Sequence, residues 1–142
     1  MNINIGAKKP IDGDQVFLVG SLLSAADLPF VLMYDAAKGR RVKRNIQKID
    51  PVKVVAAIGS EHFIEIECPH WGKVWLRSAS VRGVRDCSFA EMRYSSEETG
   101  SCVLFNHDPT PEDEHAGFFI FGMPAEHVAR LLSREVVKNA HK

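Results

Sequence analysis

The chain has 142 residues, 45% hydrophobic and 25% charged, with 18 Lys/Arg against 18 Asp/Glu. That length and mixture suit one folded domain, which buries roughly two-thirds of the surface its unfolded chain exposes, and they exclude a disordered or fibrous polymer. The zero net charge hides a polarity, because Met1 to Arg85 holds thirteen cations and eight acids whereas Asp86 to Lys142 holds five and ten.

In chain order, short runs rich in Val, Ile and Phe, separated by Gly, Pro, Asp or Ser, predict strands over Gln15 to Val19, Phe30 to Tyr34, Lys53 to Ile58, His62 to Glu67, Lys73 to Arg77, Cys102 to Asn106 and Gly117 to Phe121. Ser21 to Asp27 has room for one or two helical turns before Pro29. In the fourth of these strands Ile64-Glu65-Ile66-Glu67 alternates apolar with acidic, so one face is buried and the other wet. The connectors Gly59-Ser-Glu61 and Pro69-His-Trp-Gly72 are too short for parallel crossovers, so the three strands from Lys53 to Arg77 read as an antiparallel meander. Val103-Leu-Phe105 and Phe118-Phe-Ile-Phe121 do not alternate, as expected of strands covered on both faces.

A helix begins near Pro124, with Ala125, Val128, Leu131, Leu132 and Val136 on one face and Glu126 and Arg130 spaced for an ion pair one turn apart. The elements predict an α+β fold in one domain spanning residues 1–142. Its body is a mostly antiparallel β-sheet or a small, partly closed β-barrel, with the C-terminal α-helix packed on it.

Several chemistries have no motif. The apolar stretch from Val16 to Met33 is interrupted by Gly20, Ser21, Asp27 and Pro29, and no signal-like start precedes it, so no membrane partner is expected. Cys68, Cys87 and Cys102 are odd in number and widely spaced, which points to reduced thiols and a cytoplasmic setting. There is no phosphate-binding glycine loop, nucleophile elbow, His-Glu-x-x-His, Cys-x-x-Cys or calcium loop. These absences count against an enzyme, which would need a site assembled from distant residues, and no cofactor is expected.

Two segments stand out as candidate binding surfaces. Lys38, Arg40, Arg41, Lys43, Arg44 and Lys48 put six cations into eleven residues with no acid. Such a run reads as a turn-like surface for anionic partners, or as an edge strand whose cations discourage aggregation. Arg77, Arg82 and Arg85 would extend it if the sheet brought them near, and Trp71, Trp75 and Tyr34 are the aromatics available for stacking on nucleic-acid bases. The second segment, Asn106 to His115, is longer than a hairpin loop and contains His107, Asp108, Glu112, Asp113 and His115. It reads as an acidic contact loop, able to meet the basic run of a second copy and so to give a homo-oligomer. With Cys68 and His70 its side chains are also of metal-ligand type, the basis for an alternative as a metal-dependent enzyme.

Arg40-Arg-Val-Lys-Arg44 resembles the Arg-x-x-x-Arg of PilZ domains, and Asp86-Cys-Ser-Phe-Ala-Glu91 resembles their Asp-x-Ser-x-x-Gly, with Glu91 where the motif closes on glycine. The resemblance covers these residues only. It implies a cyclic di-GMP sensor in which Arg40 and Arg44 hold phosphate and guanine while Asp86 and Ser88 contact the ligand. The leading expectation remains a non-enzymatic binding or regulatory module, of the size of a small accessory protein of a bacterium or mobile element. Its partner is expected to be a protein first, with nucleic acid on the basic run as the alternative.

Overall fold

The computed structural model of the chain describes residues 2–3, 10–21, 29–46, 49–68, 72–88, 99–106 and 117–140. In order, these form β1 (Asn2–Ile3), β2 (Ile11–Asp12), β3 (Val16–Gly20), β4 (Phe30–Asp35), β5 (Arg40–Asn45), α1 (Pro51–Ile58), β6 (Phe63–Cys68), β7 (Gly72–Arg77), β8 (Val81–Ser88), β9 (Thr99–Phe105), β10 (Phe118–Phe121) and α2 (Ala125–Ala140). The strands make a five-stranded sheet in the order β5-β4-β3-β7-β6, a three-stranded sheet β10-β9-β8 and a two-stranded ribbon β1-β2. Among the described residues every pairing is antiparallel, which bears out the α+β expectation, and the sheets do not close into a barrel.

The five-stranded sheet is covered on both faces. Phe17, Leu18, Phe30, Leu32, Ile66 and Leu76 look toward the three-stranded sheet and α2, where they meet Val103, Phe105, Ile120 and Val128. Two ring contacts tie the sheets together: Phe17 to Phe105 at 4.6 Å between centroids and Phe30 to Phe118 at 6.4 Å. Tilted pairs at such separations are favourable beyond the area they bury. On the other face Val16, Val19, Val31, Phe63 and Trp75 pack under α1 and the ribbon, against Ile3, Ile11, Val54, Val55 and Ile58. Phe17 and Leu18 face the same way although adjacent, because a register shift between Val16 and Leu18 interrupts the alternation.

Several sequence expectations are corrected. Lys53 to Ile58 is not a strand but the body of α1, so the meander reduces to the β6–β7 hairpin. The Val-rich composition favours a strand, yet Asp50 accepts the Val52 N–H at 3.0 Å and Pro51 occupies the first turn, a strong helix start that Gly59, at φ 126°, brings to an end. Strands β1, β2 and β8 are unforeseen, and β5 corresponds to the edge-strand reading of the basic run; β5 and β8 are poor in apolar residues and owe their conformation to their neighbours β4 and β9. The proposed helical turns after Ser21 lie at 22–28, outside the described residues.

Other expectations match. Cys102, Val103, Leu104 and Phe105 are all buried, as a strand covered on both faces requires, whereas Phe118 and Phe119 are only half-buried because β10 is an outer strand of its sheet. In α2, Val128 is buried, Leu131 and Leu132 pack against the core, and Arg130 donates to Glu126 at 2.9 Å. No helix among the described residues is long and apolar enough to cross a membrane.

Candidate functional site

The basic run is divided between a turn and a strand. Asp35 closes β4 and accepts the N–H groups of Ala37 and Lys38 at 3.0 and 3.2 Å, and Gly39, at φ 64°, turns the chain into β5. Lys38 thus lies in the turn, while Arg40, Arg41, Lys43 and Arg44 lie on the strand; Lys48 is outside the described residues. The run is therefore mainly an edge strand, the second of its two readings, and not the turn-like connector of the first. Only Val42 gives it an apolar anchor, and six register pairs from Phe30↔Asn45 to Asp35↔Arg40 hold it extended.

Register divides the cations between the two faces. Arg40, Val42 and Arg44 stand opposite Asp35, Met33 and Val31, on the face that carries α1. Arg41 and Lys43 stand opposite Tyr34 and Leu32, on the other face. Lys38, Arg40 and Lys43 are exposed, and the Lys43 Nζ lies 4.8 Å from the centre of the Phe30 ring, a cation–π contact that holds its stem along the sheet. Because β5 is an outer strand of its sheet, its cations flank a row of backbone groups that no described strand pairs.

The other candidates are placed differently. Arg77 points inward: its Nε donates to the Val16 carbonyl at 2.7 Å, an Nη to the Gly13 carbonyl at 2.8 Å, and its guanidinium lies 5.1 Å from the Phe63 ring centre. It braces the fold and adds nothing to the basic surface. Arg82 and Arg85 are exposed on β8, in the three-stranded sheet, away from the strand that carries the run. Trp75 is buried beneath α1, so it is no platform for a base, and Trp71 falls outside the described residues.

Asp86 accepts the Ala125 N–H at 2.8 Å, so its carboxylate is engaged at the start of α2. His70, Glu91, His107, Asp108, Glu112, Asp113 and His115 lie outside the described residues. Cys68 is buried, and burial pushes its thiol from 9.0 up to about 12, which keeps it protonated and a poor nucleophile or metal ligand at neutral pH. Among the described residues no three His, Cys, Asp or Glu side chains cluster as a metal would need.

A further surface escaped the sequence reading. At the far side of the same sheet, β6 is also an outer strand, and Glu65 and Glu67 are exposed along it with Glu61 just before it. A groove of about 660 Å³ adjoins this edge and is lined by Val52 and Val55 of α1, Phe63 and Glu65 of β6, and Leu131 of α2. The Ile-Glu alternation was the available signal, but it marks a half-exposed strand without saying whether that strand is central or outermost. Compared with known proteins, the chain matches no family model, no curated protein and no solved structure.

Proposed function

We propose that the protein is a non-enzymatic binding or regulatory module that engages a macromolecular partner through the basic edge strand β5 and the turn before it. The observation that carries this reading is the coincidence of exposed Lys38, Arg40 and Lys43 with an outer strand of the sheet. An edge strand offers main-chain donors and acceptors to an extended segment, and the flanking cations select one that is acidic.

An acidic protein is favoured over nucleic acid. The chain as a whole is neutral, and buried Trp75 cannot stack on a base. Lys38→Glu, Arg40→Glu and Lys43→Glu together test the reading by capture from the native cell, with bound protein and nucleic acid identified by mass spectrometry. Losing three exposed ion pairs of about 0.5 kcal/mol each weakens binding about tenfold, and salt has a similar effect on the unaltered protein. Equal capture by the triple variant would refute the reading.

A further inference from the structure

The two outer strands of the five-stranded sheet carry opposite charge. β5 carries exposed Arg40 and half-buried Arg44 on the face that carries α1, and β6 carries Glu65 and Glu67 on that same face, Glu65 with the Lys73 ammonium of β7 at 3.6 Å, because Glu65 and Glu67 pair with Trp75 and Lys73 while Arg44 pairs with Val31. Each strand is six residues long. Four successive antiparallel pairings separate them, so β5 and β6 run in the same direction.

From this geometry we infer that β6 of one copy takes β5 of a second copy, extending the sheet across a parallel strand pair. The inference rests on the basic-edge reading above and names a second copy as a partner for that edge. A copy displaced along the sheet without being turned over keeps its α1 face on the same side. With Arg44 of the second copy opposite Glu67, Val42 falls opposite Glu65 and Arg40 opposite Phe63, one diagonal from Glu65, and Val42 approaches the apolar wall that Val52, 54% exposed, and Val55 give the groove.

The like-edge alternatives are disfavoured. A two-fold pairing of β5 with β5 sets cations against cations, and one of β6 with β6 sets acids against acids. The permitted contact joins two different surfaces, so it leaves a free edge at each end and builds a series of oligomers without stopping at a dimer. Exposed ion pairs contribute little individually, so the contact is weak and sensitive to salt.

Sedimentation of the full chain tests this, combined with amide hydrogen exchange of the unaltered protein. The mean mass is expected to rise at least about twofold with concentration in about 0.05 M salt and to return to that of one chain in about 0.5 M, where exposed charges are screened. Exchange should slow within Arg40–Asn45 and Phe63–Cys68 as the mass rises. Arg40→Glu with Arg44→Glu should remain single, as should Glu65→Lys with Glu67→Lys, and mixing the two variants should restore association. Circular dichroism shows whether each variant is folded, and the exchange measurement needs no variant.

An unaltered chain that stays single at every concentration overturns the inference, even where capture of another protein still depends on Lys38, Arg40 and Lys43. So does association that protects one of the two strands alone. Self-association indifferent to both charge reversals overturns it as well, and if capture is also unchanged by the triple variant the basic-edge reading falls with it.

Discussion

Asp86 and Ala125, 39 residues apart, are joined by a 2.8 Å hydrogen bond in which the Ala125 N–H donates to the Asp86 carboxylate. A helix start leaves several N–H groups without partners, and an acid there also meets the positive end of the helix dipole. Strand β8 thereby sets where α2 begins. Asp86→Ala is expected to cost about 1 kcal/mol, and Asp86→Asn, which keeps an acceptor, clearly less. Urea unfolding followed by circular dichroism would show this as an ordered pair of midpoints, and an unchanged midpoint for the alanine variant would count against the contact.

Arg77 holds the beginning of β3 through two carbonyls, those of Gly13 and Val16. Desolvation lowers its pKa, with the Asp14 carboxylate acting in the opposite direction, yet a guanidinium so placed stays charged at neutral pH. Arg77→Met removes both hydrogen bonds and should cost about 2–3 kcal/mol. Arg77→Lys should recover only part of that, since a single ammonium lacks the fork that reaches both oxygens. Thermal unfolding of the two variants decides the matter, with full recovery by lysine as the contrary result.

Cys68 gives a pH dependence of definite sign. Its folded pKa of about 12 lies above the ordinary 9.0, so the stability it contributes is fully present below pH 9 and is lost as pH climbs toward 12. Melting curves over that alkaline interval should fall less steeply for Cys68→Ala than for the parent. At about pH 8 the native thiol should resist a disulfide reagent that labels it at once in denaturant. Rapid labelling of Cys68 in the folded chain would contradict the burial argument.

Ser101 is fully buried between Asp86 and Ile120 in register, and its Oγ has no hydrogen-bond partner among the described residues. A hydroxyl desolvated without compensation destabilises its fold, so Ser101→Ala should be neutral or stabilising by up to about 1 kcal/mol. A marked loss of stability in that variant would reveal a contact for the hydroxyl.

The elements legible in the sequence were those with strong local signals. Helix α2 followed from the spacing of Val128, Leu131 and Leu132, and β6 and β7 from a short connector between apolar runs. Helix α1 was misread because Val52, Val54 and Val55 resemble a strand when their composition outweighs the Asp50-Pro51 start. Strand β8 goes unread, and β5 is only one of two readings, for the opposite reason: Val42 alone, or Val81 and Val84, make too thin an apolar pattern, and the strand exists because β4 or β9 supplies the hydrogen bonds.

Composition, periodicity and turn chemistry by themselves determined the α+β class, the C-terminal helix and the basic run as a candidate surface, because each is written in residues close together along the chain. Only the tertiary structure decided between a turn and an outer strand for the run, that Arg77 turns inward and that Glu65 and Glu67 line the opposite edge of the same sheet. Strand order depends on which distant faces bury one another. The pairing of β3 with β7 brings together segments more than fifty residues apart, and no local pattern encodes that choice.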